Sequence, residues 1–180
     1  MDAITILMND HRTVDQLFTH LEGSPPGAEQ RSQAVQEVIR ELSVHAVIEE
    51  QVLYPAIREE VPGGEDLADH SIDEHQEVKE ALARLERLDP ADAETDKTLQ
   101  QLTSDVRHHV GEEEGPGGLF ERLRASVSQE RLEEMGEQLE AAKKLAPTHP
   151  HPKAPSTPPG NVVAGAAAAI MDKARDAFGG

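Results

Sequence analysis

Apolar residues recur at steps of three and four along most of this chain, which is the spacing of a helix that buries one face. Segments containing glycine or proline interrupt the pattern at residues 23–27, 61–64, 88–92 and 115–118. Between these breaks we predict four helices. They cover residues 2–22, about 28–60, about 65–88, and from Asp92 or Asp96 to at least Glu113.

The predicted fold class is all-α, an up-down-up-down four-helix bundle, because short turns make sequential helices antiparallel neighbours. A weaker helical pattern continues over residues 119–145 in one or two pieces, with Ser128 as a candidate N-cap. We therefore assign residues 1–145 to one domain, with a bundle core of 1–125 and an extra helix over about 128–145.

The composition changes near the C-terminus. Residues 146–160 include the segment PTHPHPKAPSTPPG, which is typical of a proline-rich linker. For residues 161–180 we expect a tail that is either flexible or a short helix resting on the domain. The apolar part of this tail is too short to span a bilayer.

Composition restricts the classes of function. The chain has 17 Lys and Arg against 35 Asp and Glu, a formal net charge of −18, which disfavours nucleic acid and anionic membranes as partners. It has no cysteine, so disulfides, thiolate metal sites and thiol catalysis are excluded. The N-terminal segment MDAITILMND lacks the basic region and apolar run of a signal peptide, and we expect a cytoplasmic protein.

Residues with distinctive chemistry repeat at an offset of 64 positions. Each half of the chain has a histidine, then 33 residues, then His-x-x-x-Glu, and the apolar positions between them follow the same offset. The chain therefore has the pattern of a duplicated helical hairpin. The paired positions are His11 and His75, His45 and His109, Glu49 and Glu113, and Glu50 and Glu114.

The spacing brings these groups to one level of the bundle interior. Residues i and i+4 share a helix face, so His45 and Glu49 address one point, and His109 and Glu113 address another. Buried imidazoles and carboxylates are costly unless they are paired or bind a metal. This mixture of donors suits iron, manganese or zinc, and it favours non-haem iron. Two bridging carboxylates leave two histidines for each of two ions, which predicts a dinuclear site.

Four segments carry these residues: DAITILMNDHRTVDQLF, HAVIEEQVLYPAI, DEHQEVKEAL and HHVGEEEG. Together they resemble the hemerythrin family, specifically bacterial hemerythrin-like proteins with an H-HxxxE-H-HxxxE pattern, over about residues 1–125. The resemblance implies a four-helix bundle that binds two Fe ions joined by an oxo or hydroxo bridge. The ligands that it implies are His11, His45, Glu49, His75, His109 and Glu113.

The third helix departs from the oxygen-carrying members of the family. Those proteins resemble this pattern but have a second histidine four residues from the one on that helix, where this chain has Ser71 and Lys79. Tyr54 is the one candidate replacement, although it lies about 140° from Glu49 on an ideal helix, and Pro55 must distort the helix there. Two interpretations stay open: a phenolate ligand at one iron only, and a buried tyrosine that is hydrogen-bonded nearby.

The resemblance implies chemistry with small ligands, namely O2, NO or hydrogen peroxide, in oxygen storage, sensing or stress response. The missing imidazole and the candidate phenolate favour peroxide or NO reactivity over O2 carriage, so a catalase-like or NO-consuming activity is one outcome. The alternatives are a non-enzymatic oxygen or iron sensor, a storage protein, and a metal-supported interaction bundle. We expect only small diatomic or peroxide ligands as partners, no nucleic acid and no membrane, and a monomer or weak oligomer.

The remaining histidines and glutamates are assigned outside the set of ligands. His70 is interpreted as a helix-start residue or a group that supports a ligand. His108 faces about 100° from His109, and a pairing of His108 with Glu112 stays open. Three histidines are expected in solvent: His20, His149 and His151. Three glutamates are expected as surface charges or supporting groups: Glu50, Glu112 and Glu114.

Overall fold

The computed structural model describes residues 1–25 and 29–178, and the regular structure in this part of the chain is entirely helical, as predicted. The predicted start of the second helix at Ala28 lies outside the described residues. Within them, no helix combines the length and apolar character needed to cross a bilayer. The elements are α1 (Ala3–Glu22), α2 (Glu29–Ile48), a π-helical segment (Glu49–Leu53), α3 (Tyr54–Glu60), α4 (Gly64–Leu85), α5 (Ala93–Glu114), α6 (Leu119–Ser126), α7 (Gln129–Lys143) and α8 (Gly160–Phe178).

Four antiparallel helical segments form the bundle, and the predicted up-down-up-down order is confirmed. They are α1, then α2 continued through the π segment into α3, then α4 and α5, with α1 and α5 in contact to close the bundle. Asp2 begins α1 by accepting a hydrogen bond from the backbone N–H of Thr5 at 2.9 Å. Gly63 makes the turn into α4 with a φ of 73°, a conformation that residues with a side chain rarely adopt.

The apolar core has two parts, and a layer of polar side chains lies between them. Each large apolar side chain that is fully buried contributes roughly 1.5–3 kcal/mol to stability. The two apolar parts therefore fix the helices on both sides of the polar layer. The part near the α1–α2 and α4–α5 turns is built from Phe18, Val38, Leu82 and Leu102 among others. The other part is built from Leu7, Leu53, Leu123, Met135 and Leu139 among others.

Helices α6 and α7 form the predicted extra stretch as two separate pieces. Ser128 caps α7, as predicted, by accepting a hydrogen bond from the backbone N–H of Arg131 at 3.2 Å. Helix α7 crosses the start of the chain so closely that a Cβ atom at Gly136 would lie 2.1 Å from the carbonyl oxygen of Met1. Glycine at this position therefore allows α7 to pack closely against α1 and the π segment.

In the structure, the C-terminal segment forms α8, which packs on the bundle. The buried carboxylate of Asp172 accepts hydrogen bonds from the backbone N–H groups of Thr148 and His149 at 3.0 and 3.1 Å. It also lies 3.1 Å from His151 Nε2, and Asp176 lies 2.8 Å from His149 Nε2. The expectation that both histidines are free in solvent was wrong, because acidic residues of α8 fold back onto them.

Replacement of Asp172 by alanine is expected to loosen α8. Three donors then lose a buried acceptor, and a buried donor without a partner costs about 1–3 kcal/mol. Hydrogen exchange of the α8 amides, measured by mass spectrometry, should become faster by roughly tenfold or more. Lys173→Ala changes the neighbouring exposed side chain and should exchange like the wild type. Unchanged exchange in Asp172→Ala would show that this carboxylate does not hold the helix.

Candidate metal centre

Six side chains from five elements converge in the polar layer of the bundle, and all six are buried. The i,i+4 spacing of the two His-x-x-x-Glu motifs places each histidine and its glutamate on the same inward face. The polar layer thus contains every residue of the predicted ligand set. The set consists of His11 from α1, His45 from α2, Glu49 from the π segment, His75 from α4, and His109 and Glu113 from α5.

The four imidazoles form two pairs through their Nε2 atoms. His11 and His45 make the first pair, with 3.1 Å between the two Nε2 atoms. His75 and His109 make the second pair, with a separation of 3.2 Å. Donor atoms that share one ion at metal–ligand distances near 2.0–2.1 Å lie about 3 Å apart. Each pair therefore has the spacing of two ligands on one cation.

The two carboxylates connect the pairs. Glu49 Oε2 lies 3.2 Å from His45 Nε2 and 3.3 Å from His75 Nε2, so one oxygen contacts both pairs. Glu113 contacts His11 Nε2 through Oε2 at 3.4 Å and His109 Nε2 through Oε1 at 3.5 Å. Both glutamates span the gap between the pairs, which is the position of a bridging carboxylate.

The donor set fits a bound cation better than it fits a metal-free core. Glu49 Oε1 and Glu113 Oε2 are buried and accept no hydrogen bond from the described residues. A buried carboxylate oxygen without a donor is costly, whereas a cation between the imidazoles and the carboxylates would satisfy it. Imidazole nitrogen and carboxylate oxygen are ligands that suit iron, manganese and zinc.

A second carboxylate lies behind each imidazole of the second pair. His109 Nδ1 is 2.7 Å from Glu74 Oε2, and His75 Nδ1 is 3.3 Å from Glu50 Oε1. A carboxylate that accepts the Nδ1 proton directs the lone pair of Nε2 towards the metal and makes it more basic. Glu50 is itself held by the buried Lys79, whose Nζ lies 2.5 Å away.

In the first pair, Glu114 accepts a hydrogen bond from His11, whereas Asp10 lies near His45 without a hydrogen bond. His11 Nδ1 is 2.7 Å from Glu114 Oε1, and His45 Nδ1 is 3.6 Å from Asp10 Oδ2. Glu50 and Glu114, interpreted from the sequence as supporting groups or surface charges, both lie against a histidine of the other half of the chain. Asp10 and its repeat counterpart Glu74 were not predicted from the sequence. The signal was available, because each directly precedes the first histidine of its half at the offset of 64.

Tyr54 lies at the second histidine pair, His75 and His109, and not at the first. Its buried hydroxyl is 3.0 Å from His75 Nε2, 3.3 Å from Glu49 Oε2 and 3.4 Å from Glu113 Oε1. The π segment explains how it reaches there, because the backbone N–H of Tyr54 bonds to the carbonyl of Glu49 five residues earlier. One extra residue in this turn brings Tyr54 close to the face of Glu49, and π-bulges are frequent at functional sites.

Buried charges shift the pKa values of this layer. Burial disfavours charged His45, but Glu49 and Asp10 outweigh it and raise its pKa to about 10. Burial and the nearby Glu49 raise the pKa of Glu113 to about 8. Burial and the carboxylates around Tyr54 raise the pKa of its phenol well above the ordinary value. Without a cation, these three groups therefore retain their protons at neutral pH.

The other histidines lie outside the buried layer. His20 is exposed, as predicted. His70 and His108 lie on the outer surface of α4 and α5, and His108 Nε2 is 3.3 Å from Glu112 Oε1, so the pairing left open by the sequence is present. A further neighbour was not foreseen: the ring of Phe120 from α6 stacks on His11, with 5.8 Å between the ring centroids.

A helical bundle that gathers four imidazoles and two carboxylates in one buried layer defines a cation-binding bundle protein. The family model for the hemerythrin HHE cation binding domain matches residues 2–116. The chain therefore belongs to the hemerythrin HHE cation-binding family. Membership implies that it binds a metal, with iron as the metal of the family.

Similar proteins agree with this assignment. The chain is 32% identical over 171 residues to an uncharacterized hemerythrin-like protein of Schizosaccharomyces pombe, a match that covers 94% of this chain and 83% of that protein. It is also 32% identical over 147 residues to a DNA nickase of Nostoc, which covers 79% of this chain but only 39% of the nickase. The crystal structure of a hemerythrin HHE cation binding domain-containing protein from Mycobacterium kansasii has the same fold, with a TM-score of 0.69 and 23% identity over 80% of this chain and 86% of that one.

Metal uptake by the metal-free protein is expected to release more protons at pH 6.5 than at pH 9. Glu113, with a pKa of about 8, is protonated at the lower pH and ionised at the higher one, and the cation must displace its proton. Affinity for Mn2+ should therefore rise as the pH rises over this interval. Calorimetric titrations with Mn2+ in buffers of different ionisation enthalpy give the number of protons released. Equal release at both pH values would contradict the assignment of Glu113 as a ligand.

Proposed function

We propose that this protein holds two iron ions in the buried layer and uses them to consume hydrogen peroxide or NO. His11 and His45 would hold one ion, His75 and His109 the other, and Glu49 and Glu113 would bridge them. The spacing of the two imidazole pairs and the position of the two carboxylates between them support this assignment. Iron at such a centre supplies redox chemistry on small oxidants by alternating between its ferrous and ferric states.

The observation that carries the proposal is the position of the Tyr54 hydroxyl within 3.0 Å of His75 Nε2 and 3.5 Å of His109 Nε2. We propose that Tyr54 is a ligand of the ion at the second pair, where a bound cation would lower the pKa of the phenol. A phenolate is a hard, anionic donor that favours ferric iron. Reversible O2 binding needs a stable ferrous state, so this ligand favours oxidant consumption over O2 carriage.

Helix α4, the third helix predicted from the sequence, also favours oxidant consumption over O2 carriage. Of the two positions where an oxygen carrier would have a further histidine, the one at Lys79 places its ammonium group on Glu50 and not in the buried layer. Lys79 also donates to Ser156 Oγ at 3.1 Å, which ties the C-terminal segment to this side of the centre. Lys79 therefore holds Glu50 behind His75 and is not a metal ligand. Tyr54 is then the candidate for the additional ligand.

A small apolar cavity next to the four imidazoles limits the size of the ligand. About 20 Å3 of it is open to the centre of a water-sized molecule, which is enough for roughly one such molecule. Its walls are aliphatic, and its floor consists of the four histidines. A diatomic molecule or a peroxide fits this volume, and a larger organic substrate does not. The aliphatic wall residues are Val14, Leu42, Ala46, Val78, Val106 and Val110.

The side chains around the centre hold protons at defined atoms. Glu114 and Glu74 accept the Nδ1 protons of His11 and His109, which leaves Nε2 of each ring free to bind a cation. Glu114 is partly exposed, so a proton can pass between this carboxylate and solvent. Peroxide disproportionation, in which two H2O2 give two H2O and one O2, needs no external reductant and is therefore the first reaction to test.

The nickase activity named for the Nostoc relative is not part of the proposal. The match leaves most of that protein uncovered, and a formal net charge of −18 would repel the DNA backbone. We infer that nucleic acid is not a partner of this chain. The ligands we propose are small oxidants, and the location we propose is cytoplasmic.

Replacement of Tyr54 by phenylalanine tests the phenolate. The iron-loaded wild type should have a visible charge-transfer band, and the variant, which keeps the ring and removes only the hydroxyl, should lose it. Absorption spectra of the two proteins at matched iron content give the comparison. A visible band retained in Tyr54→Phe would remove this residue from the set of ligands.

Replacement of His109 by alanine tests the ion positions. The second pair then has one imidazole, and the variant should lose at least one iron per chain. Elemental analysis after a chelator wash measures the loss, and circular dichroism checks that the variant is folded. The exposed His20→Ala variant is the control and should keep its iron. Unchanged iron content in His109→Ala would contradict the assignment.

The proposed reaction is tested with hydrogen peroxide added to the iron-loaded protein. An oxygen electrode should record one O2 for every two peroxide molecules consumed. Tyr54→Phe should be slower by roughly tenfold or more, the scale on which loss of a group that tunes a metal site acts. Reversible O2 binding without peroxide or NO consumption would overturn the proposal in favour of an oxygen carrier.

A further inference from the structure

A second group of metal-binding side chains lies on the outer surface of α4 and α5. It consists of two His-x-x-x-Glu pairs, His70 with Glu74 on α4 and His108 with Glu112 on α5, which we call the surface quartet. The two helices are adjacent and antiparallel, so the pairs face each other. Each pair presents its two donors on one helix face, which is the spacing that also builds the buried centre.

Three members of the surface quartet, His70, Glu74 and Glu112, have ligand atoms within 4.8 Å of one another, and His108 lies beside them. Glu112 lies 3.0 Å from His70 Nε2 through Oε2 and 3.3 Å from His108 Nε2 through Oε1. Glu74 Oε1 lies 3.7 Å from His70 Nε2 and 4.0 Å from His108 Nε2. Four nitrogen and oxygen ligands in a tetrahedron around a zinc-sized ion are about 3.3 Å apart. His108 lies against Glu112, and a rotation of its exposed side chain would bring it in as the fourth ligand.

Packing does not explain the two imidazoles. The side chains of His70 and His108 are 59% and 67% exposed, and surface ion pairs of this kind contribute little to stability. The duplicated frame does not explain them either, because their counterparts at the offset of 64 are the apolar Ile6 and Val44. The quartet is therefore a feature of the second hairpin alone.

On the equivalent face of the first hairpin, a lysine already pairs with the carboxylate. Asp10, the counterpart of Glu74, pairs with Lys143 of α7 at 2.5 Å, so a cationic side chain already occupies the position. On the second hairpin, Glu74 faces two exposed imidazoles instead. A divalent cation bound there would offset the negative charge of the two carboxylates.

We propose that His70, Glu74, His108 and Glu112 bind a divalent cation of the zinc class at the protein surface, separate from the buried centre. Two imidazoles and two carboxylates form a donor set that zinc accepts in tetrahedral geometry. Carboxylates alone at a surface would bind a divalent cation weakly and without selectivity, whereas the two nitrogen donors favour Zn2+ over Mg2+ and Ca2+.

Glu74 connects this site to the buried centre. Its Oε2 accepts the Nδ1 proton of His109 at 2.7 Å, while its Oε1 faces the imidazoles of the quartet. A cation bound to Oε1 withdraws electron density from the carboxylate and makes His109 Nε2 a weaker donor. Occupation of the surface site therefore reaches the metal held by His109 through one side chain.

Zinc binding to the iron-loaded protein tests the proposal. The wild type should take up one Zn2+ per chain without loss of iron, as measured by competition with a chromophoric chelator and by elemental analysis. The His70→Ala/His108→Ala double variant should bind Zn2+ at least roughly tenfold more weakly, at the scale of removing two ligands. The exposed His20→Ala variant is the matched control and should bind like the wild type. Equal affinity in the double variant and the wild type would overturn the proposal.

The connection through Glu74 has its own readout. Addition of Zn2+ should shift the absorption spectrum of the iron centre in the wild type and leave the double variant unchanged. A wild type that binds Zn2+ with no spectral shift would overturn the link to His109. Neither measurement depends on peroxide or NO turnover, so failure of the proposed function and failure of this site are distinguishable.

Discussion

The structure depends on the cost of burying ionisable groups. Four imidazoles, two carboxylates and a phenol share a layer that solvent does not reach, with apolar side chains packed above and below. Pairing among themselves leaves carboxylate oxygens without donors and holds protons at raised pKa values. A cation removes both costs, which is why binding a metal and keeping a stable bundle are one problem for this sequence.

The duplicated hairpin places the metal-binding side chains at one depth of the bundle. A single hairpin supplies two imidazoles and one carboxylate, and a pseudo-symmetric second hairpin supplies the rest at the same depth. The backing carboxylates follow the same logic, since Glu50 and Glu114 each cross to a histidine of the other hairpin, while Asp10 and Glu74 stay within their own. The hairpins are therefore joined through the centre as well as through the apolar core.

The sequence predicted the four helices and the converging residues because both rest on periodicity, which a helix converts directly into a face. It left Tyr54 open, since an ideal helix directs that residue away and only an extra residue in the turn brings it back. It also missed Asp10 and Glu74, whose role depends on the angle between two packed helices. The docking of the segment with His149 and His151 was not predicted, because a proline-rich composition shows the absence of regular structure and not what the chain contacts.

The π segment makes the two halves of the duplication chemically unequal. The first hairpin continues past its glutamate into a turn that delivers a phenol, whereas the second ends there at Gly115 and Gly118 and delivers nothing. In the proposed centre, with two ions and Tyr54 as a ligand of one, the ions would differ in electron affinity, and a single electron would settle on the ion without the phenol. Two similar hairpins would thus give the proposed pair of ions a fixed order of reduction.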